Sequence, residues 1–254
     1  MKTALILSGG GCDCAFGGGF AVALGRELGL APDVVIAGSG SAGTAAYFCA
    51  RQFDETERIW TNHVASKLLI NKLRFNRIMN IDYLIDVIFK KLEPLDVEKL
   101  KKSKTKCIIA ATKKKDGLVT FFDDWNKFDI FEVLRATKSI PYICNRGVKV
   151  GNEIYEDSIH SSGVRFLEND IDLHVYDCLI IIENGKNTWV QKLLGAKKPY
   201  FPKHHNILYI KNDTKLNFSI INNSEKFLKK QFTKGYNACM ENKEKIKGLN
   251  LNII

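Results

Sequence analysis

Apolar residues in this chain come in short unbroken runs. "TALIL" at 3–7, "VVIA" at 34–37 and "YDCLIIIE" at 176–183 lack the alternation of a half-solvated strand. All three read as strands, and the last is the mark of a strand covered on both faces. Between them the period changes. A glycine-rich loop follows the first run and opens a helix ending near Leu28, and Thr44 to Gln52 predicts a helix behind the second run. From 54 to 102 the pattern is helical. In "IDYLIDVIFKKL" Ile81, Leu84, Ile85, Ile88 and Phe89 recur on one helix face, and Pro94 ends it. "KCIIAAT" and "LVTFF" predict two strands joined by "KKKDG", where Asp116-Gly117 is a turn signal. "IFEVLRAT" predicts a helix, then Pro141, then short strands to Tyr155, and lysine-rich helices finish the chain from Ser224. No repeat, low-complexity tract or linker interrupts this order. The expectation is one α/β domain over residues 1–254, with a helical insertion at about 54–102 and a lysine-rich helical part at about 224–254.

Composition narrows this. The 254 residues are 45% hydrophobic and 26% charged, an ordinary globular balance with ample chain for a core. No apolar run is long enough to span a bilayer. The first residues, "MKTALILSGGGC", pair a lysine with a short apolar stretch in the manner of an export signal. The stretch from Ala4 to Leu7 is too short for a signal core and reads as a buried strand, so a cytoplasmic location is expected. Cys12, Cys14, Cys49, Cys107, Cys144, Cys178 and Cys239 lack paired spacing, and most have apolar neighbours that fit small buried hydrophobes. Cys12-x-Cys14 and His204-His205 are too thin for a metal site, and neither a metal nor a cofactor is expected.

Charge adds a second theme. The 38 basic residues outnumber 28 acidic ones, for a net charge of +10. Lysines cluster at 99–106, 113–115, 197–198 and 226–234. They read either as solvated faces or as attraction to an anionic membrane surface. Aromatics are not interleaved with them and no nucleic-acid motif is present, so nucleic acid is not the expected partner.

The chemistry turns on "DVVIAGSGSAG" at 33–43. Gly38, Gly40 and Gly43 spell the G-x-G-x-x-G of a dinucleotide-binding turn. That fold needs a second strand after the helix, with an acidic residue for the ribose. Here "DETERIWTNHVASKLL" follows, polar and helical, so the required context is missing. The other reading is a sharp strand-to-helix turn presenting a nucleophilic serine. Ser41 then sits near the positive end of the following helix. Gly9, Gly10 and Gly11 supply a second loop whose backbone N–H groups no side chain blocks, the requirement for holding an oxyanion. If the two strands are neighbours in a parallel sheet, both loops leave the same edge. A Ser-His-Asp hydrolase would need a late histidine, and among His160, His174, His204 and His205 only His174, after "IDL", comes close.

Four segments in register carry a resemblance: "LILSGGGCDCAFGGGF", "VIAGSGSAGTAA", "VLRATKSIPYI" and "EIYEDS". In order and spacing they resemble the patatin-like phospholipases, over roughly residues 3 to 185, with "IDYLIDVI" and "CIIAATKKKDGLVTFF" similar to the short bacterial members. The resemblance implies a three-layer α/β/α fold with a mainly parallel central sheet, and hydrolysis of lipid acyl esters such as phospholipids by a Ser-Asp dyad without histidine. By the same resemblance Ser41 is the nucleophile, Asp157 the base, and Gly9 to Gly11 the oxyanion hole. Three positions depart from the family pattern. Ser39 occupies the first glycine of the G-x-S-x-G elbow, which leaves open a register with Ser39 at the nucleophile position. Asp13 stands where the glycine loop normally continues to arginine, and Ser158-Ile159 replace the glycine that follows the aspartate. These departures keep a second reading in view, a catalytically silent relative that binds lipid or a partner.

Overall fold

The computed structural model describes residues 1–74, 78–140, 147–157, 173–185, 206–213, 219–249 and 251–253. The strands are β1 (Thr3–Leu7), β2 (Leu30–Ala31), β3 (Val34–Gly38), β4 (Lys106–Lys113) and β5 (Val119–Phe122), then β6 (Val148–Val150), β7 (Glu153–Glu156), β8 (Cys178–Glu183), β9 (Ile207–Lys211) and β10 (Asn252–Ile253). The helices used below are α1 (Ala15–Val22), α2 (Ser41–Cys49), α3 (Phe53–Arg58), α4 (Val97–Lys101), α5 (Ile130–Ala136), α6 (Glu225–Glu241) and α7 (Lys243–Lys247).

The main sheet runs β6-β7-β4-β3-β1-β8-β9, with β5 also paired to β4. Its centre, β4-β3-β1-β8-β9, is parallel, and β5, β6 and β7 close one side antiparallel. Side chains alternate between two cores. Leu5, Leu7, Val35, Ala37, Ile180 and Ile182 face the larger one with α1, α2 and α6. Ala4, Ile6, Val34, Ile36, Leu179 and Ile181 face the smaller one with Leu173. Burial on both faces explains why these strands read as continuous apolar runs. The architecture is the expected α/β/α arrangement, a mostly parallel sheet with helices on both sides.

Strand register places the site. Leu7 of β1 lies opposite Ala37 of β3, and Gly38 lies opposite Ala110 of β4. The loops after β1 and β3 therefore leave the same edge, side by side.

Glycines let α1 sit very close to α6. A Cβ on Gly19 would lie 1.9 Å from the Phe232 carbonyl oxygen, and one on Gly235 would lie 1.8 Å from that of Phe16. Neither backbone atom can swing aside as a side chain would. Gly19→Ala and Gly235→Ala are therefore expected to cost about 1–3 kcal/mol each, as overpacking does. Chemical denaturation checks this, and unchanged midpoints would mean that the helices separate freely.

The stretch expected to be helical from 54 to 102 is helical only in part. α3 continues as a wider turn through His63, a second helix spans Tyr83–Leu92, and α4 follows. Between them, the described residues from 64 to 80 form turns and one bridge, Ile70 to Met79. Asparagine side chains are the local reason. Asn71 Oδ1 accepts from Leu73 N (3.0 Å), a local turn in place of a helical ladder, and Asn80 Oδ1 accepts from Tyr83 N (3.1 Å), which caps the start of the next helix. The segment is fastened to α5 by Arg135, which pairs with Asp82 and with both oxygens of Asp86 at 2.9 and 3.0 Å. The short β2–β10 pair was not anticipated from the pattern.

Candidate active site

The chain turns sharply after β3. Ser39 has φ 51°, one of two described non-glycine residues at positive φ. A serine in this sparsely allowed region needs its surroundings to hold it there. Its N–H donates to Thr137 Oγ1 (2.8 Å), and Thr137 in turn donates to the Ala110 carbonyl (2.5 Å). Its carbonyl accepts from Lys138 Nζ at 2.5 Å, and the Gly40 carbonyl accepts from the same ammonium at 3.4 Å. α2 begins directly behind this turn.

The Ser39 hydroxyl donates to Asp157 Oδ2 at 2.7 Å. Asp157 follows β7, is only 4% exposed, and is anchored by its own N–H to the Ser139 carbonyl (3.0 Å). Burial pushes its carboxyl up to about 7, while the Ser39 hydrogen bond and the Lys138 ammonium pull the other way. Lys138, also 4% exposed, is pushed down to about 8 by burial. A lone lysine in "RATKS" carries no signal of this role in the sequence, because lysine side chains are rarely buried.

Ser41 occupies a different environment. It is fully buried, donates to the Ser8 carbonyl (2.7 Å) and accepts from Asn184 Nδ2 (3.0 Å). The expectation that Ser41 meets Asp157 is corrected by this geometry. At the first turn of α2, the Ser41 side chain points back under the end of β1, while Ser39, two residues earlier, faces the carboxylate. The elbow glycines then fall on Ala37 and Ser41, so small residues stand in for both.

Asn184, just past β8, ties these parts together. Its Nδ2 also donates to the Ser8 carbonyl (2.5 Å), its Oδ1 accepts from Gly17 N (2.7 Å), and its N–H donates to Ser8 Oγ (2.9 Å). An asparagine ending a strand carries no distinctive sequence signal.

The glycine loop lies against the elbow. A Cβ on Gly9 would come within 3.1 Å of Ser39 Cβ, and one on Gly40 within 2.7 Å of the Gly11 carbonyl oxygen. Gly10 and Gly11 adopt φ 150° and 56°, conformations that favour glycine. Asp13 is buried, with Oδ2 3.2 Å from where a Gly185 Cβ would stand, and it does not line the cleft.

That cleft holds roughly 650 Å³ of open space, its mouth included. Ser39, Asp157, Gly11 and Lys138 line it, and beyond them the wall is apolar, with Tyr47, Ile59, Trp60, Leu69, Ile70, Leu84 and Phe89. His174 precedes β8, whose first residue pairs with Thr3, so it lies at the opposite edge from Ser39. His63 contacts Glu93 (Nε2 to Oε1, 3.0 Å). Ser158, Ile159, His160, His204, His205 and Cys144 lie outside the described residues. Among the described residues no strand follows α2 before β4, where a dinucleotide fold would have its second strand.

A half-buried serine hydrogen-bonded to a buried aspartate, at a strand-to-helix turn beside a glycine loop, invites comparison with known proteins. The family model for patatin-like phospholipase matches residues 5–165. The chain belongs to the patatin-like phospholipase family. Among solved structures it is similar to VipD from Legionella pneumophila, with a TM-score of 0.56 and 11% identity, over 94% of this chain and 66% of that one. It is also similar to the type III effector protein ExoU, with a TM-score of 0.41 and 13% identity, over 94% of this chain and 53% of that one. The chain thus spans about two thirds of VipD and half of ExoU. At this identity the likeness to VipD concerns the fold. A search of curated proteins by sequence finds no match. Among the described residues, no helix is long and apolar enough to cross a membrane.

Proposed function

We propose that this protein hydrolyses lipid acyl esters, with Ser39 as nucleophile, Asp157 as its base and the Gly9–Gly11 loop as the oxyanion hole. The observation that carries this reading is the 2.7 Å hydrogen bond from Ser39 Oγ to Asp157 Oδ2 at a positive-φ elbow. Ser39 Oγ attacks the ester carbonyl as its proton passes to Asp157. Backbone N–H groups of the glycine loop hold the developing oxyanion. Collapse expels the alcohol, which takes the proton from Asp157 and leaves an acyl-serine. Water, deprotonated by the same carboxylate, then releases the fatty acid and restores the hydroxyl. The apolar wall supports an acyl chain as the bound group, since burying each methylene contributes about 0.8 kcal/mol. No histidine is needed, because a carboxyl raised towards neutrality by burial is a competent base.

The experiment is direct. Purified protein is given p-nitrophenyl butyrate and, separately, phosphatidylglycerol vesicles, and released fatty acid is measured. Fatty-acid release from both is expected. Inert protein against a panel of acyl esters would favour the silent, lipid-binding relative.

Lys138 sets the pH at which this base works. Its ammonium stabilises the Asp157 carboxylate, whereas neighbouring Glu156 opposes ionisation. Cys14 faces the same ammonium, and Asp13 lies beside Cys14. Lys138→Met should raise the Asp157 carboxyl further, so the rising limb of kcat/KM moves to higher pH. Activity then falls more at pH 7 than at pH 9. An unmoved midpoint would separate Lys138 from the base.

A further inference from the structure

Two large apolar side chains stand exposed in one nine-residue stretch beside the cleft. In "SKLLINKLR" (66–74), Leu68 is 56% and Leu73 86% exposed, while Leu69 and Ile70 turn inward and line the cleft. The segment is held in shape. Asn223 Nδ2 donates to the Val64 and Ser66 carbonyls (3.2 and 3.1 Å), Arg74 donates to the Leu68 carbonyl (3.2 Å), and Asn71 N donates to the Ile78 carbonyl (2.9 Å). Asn80 N donates to the Leu69 carbonyl at 2.7 Å. A braced loop therefore presents leucines to solvent on one side and the cleft wall on the other.

Charge names the partner. Lys67 and Lys72 are exposed next to the two leucines, and Arg74 is half-buried beside them. Between Glu57 and Asp82 the sequence has no acidic residue at all. Apolar tips among basic residues fit the boundary of a bilayer, where leucine enters the acyl region and ammonium groups meet lipid phosphates.

We infer that the 66–74 loop is the surface by which this protein docks on an anionic lipid bilayer, placing the mouth of the cleft at the membrane. The inference rests on the lipid-hydrolase reading for its purpose, and its physical basis is the loop itself. Docking here would let an acyl chain pass from the bilayer along Leu69 and Ile70 without crossing water.

The test separates docking from chemistry. Ser39→Ala protein, which leaves lipid intact, is sedimented with vesicles of phosphatidylglycerol and phosphatidylcholine. Binding should fall steeply with added salt. L68S/L73S should weaken it by roughly tenfold or more, because two of the inserted apolar side chains are lost. K67Q/K72Q should weaken it at low salt and flatten the salt dependence. Val175, 53% exposed at the opposite sheet edge, provides the control V175S, which should bind like its parent. With the catalytic serine restored, L68S/L73S should lose hydrolysis of vesicle lipid in proportion to binding, yet keep its rate on monomeric p-nitrophenyl butyrate. Undiminished vesicle binding by L68S/L73S, or no binding by the parent at low salt, overturns the docking surface. If the parent hydrolyses nothing, the hydrolase reading fails while sedimentation still decides the surface.

Discussion

Ser39→Ala is expected to remove ester hydrolysis by roughly 10⁴-fold or more, the scale seen when an activated serine nucleophile is deleted. The fold should survive, because the lost hydroxyl makes one hydrogen bond, to a carboxyl that burial already favours in its neutral form. Ser41→Ala is the paired measurement and should behave in the opposite way. Its hydroxyl donates to the Ser8 carbonyl and accepts from Asn184, so the cost falls on stability, about 1–2 kcal/mol for a buried polar network left short. Activity should stay within several-fold, since Ser8 still accepts from Asn184. A reversed pair, inert Ser41→Ala and active Ser39→Ala, would place the nucleophile two residues further on.

Asp157→Asn should lower kcat/KM by roughly 10²- to 10⁴-fold, the contribution of a positioned general base. The pH profile is the sharper readout. Burial holds the Asp157 carboxyl at about 7, so the competent carboxylate form fills as pH rises through that value. Activity should therefore climb through one ionisation near neutrality and then level. The asparagine variant should keep the cleft and lose this limb. His174→Ala should leave both rate and profile unchanged, given its place at the far edge of the sheet. A histidine variant that folds but loses activity would contradict the dyad.

The strands at the centre were legible because burial on both faces writes an unbroken apolar run, as in "LIII" of β8. Parallel pairing of β1 with β3 then brings the glycine loop and the serine turn to one edge, as the sequence order suggested. The register of the elbow was not legible. Two serines flank Gly40, and the local match to the family elbow favours Ser41 through Ala42-Gly43. What decides between them is a backbone angle and a contact to Asp157, 118 positions later in the chain, neither of which a local motif encodes. Lys138 and Asn184 were hidden for a related reason. Each is an ordinary polar residue whose role comes only from burial against the turn or the loop stem. The turns between 64 and 80 were hidden because Asn71 captures the Leu73 amide locally and Asn80 caps a helix that starts only after it, breaks that the helical pattern does not encode.

The most direct measurement is covalent. Intact protein treated with a fluorophosphonate probe near pH 8, where Asp157 is mostly ionised, should gain one adduct, and peptide mass spectrometry should place it on Ser39. Labelling should disappear in Ser39→Ala and persist in Ser41→Ala. An adduct on Ser41, or a folded protein that takes up no probe, would contradict Ser39 as the nucleophile.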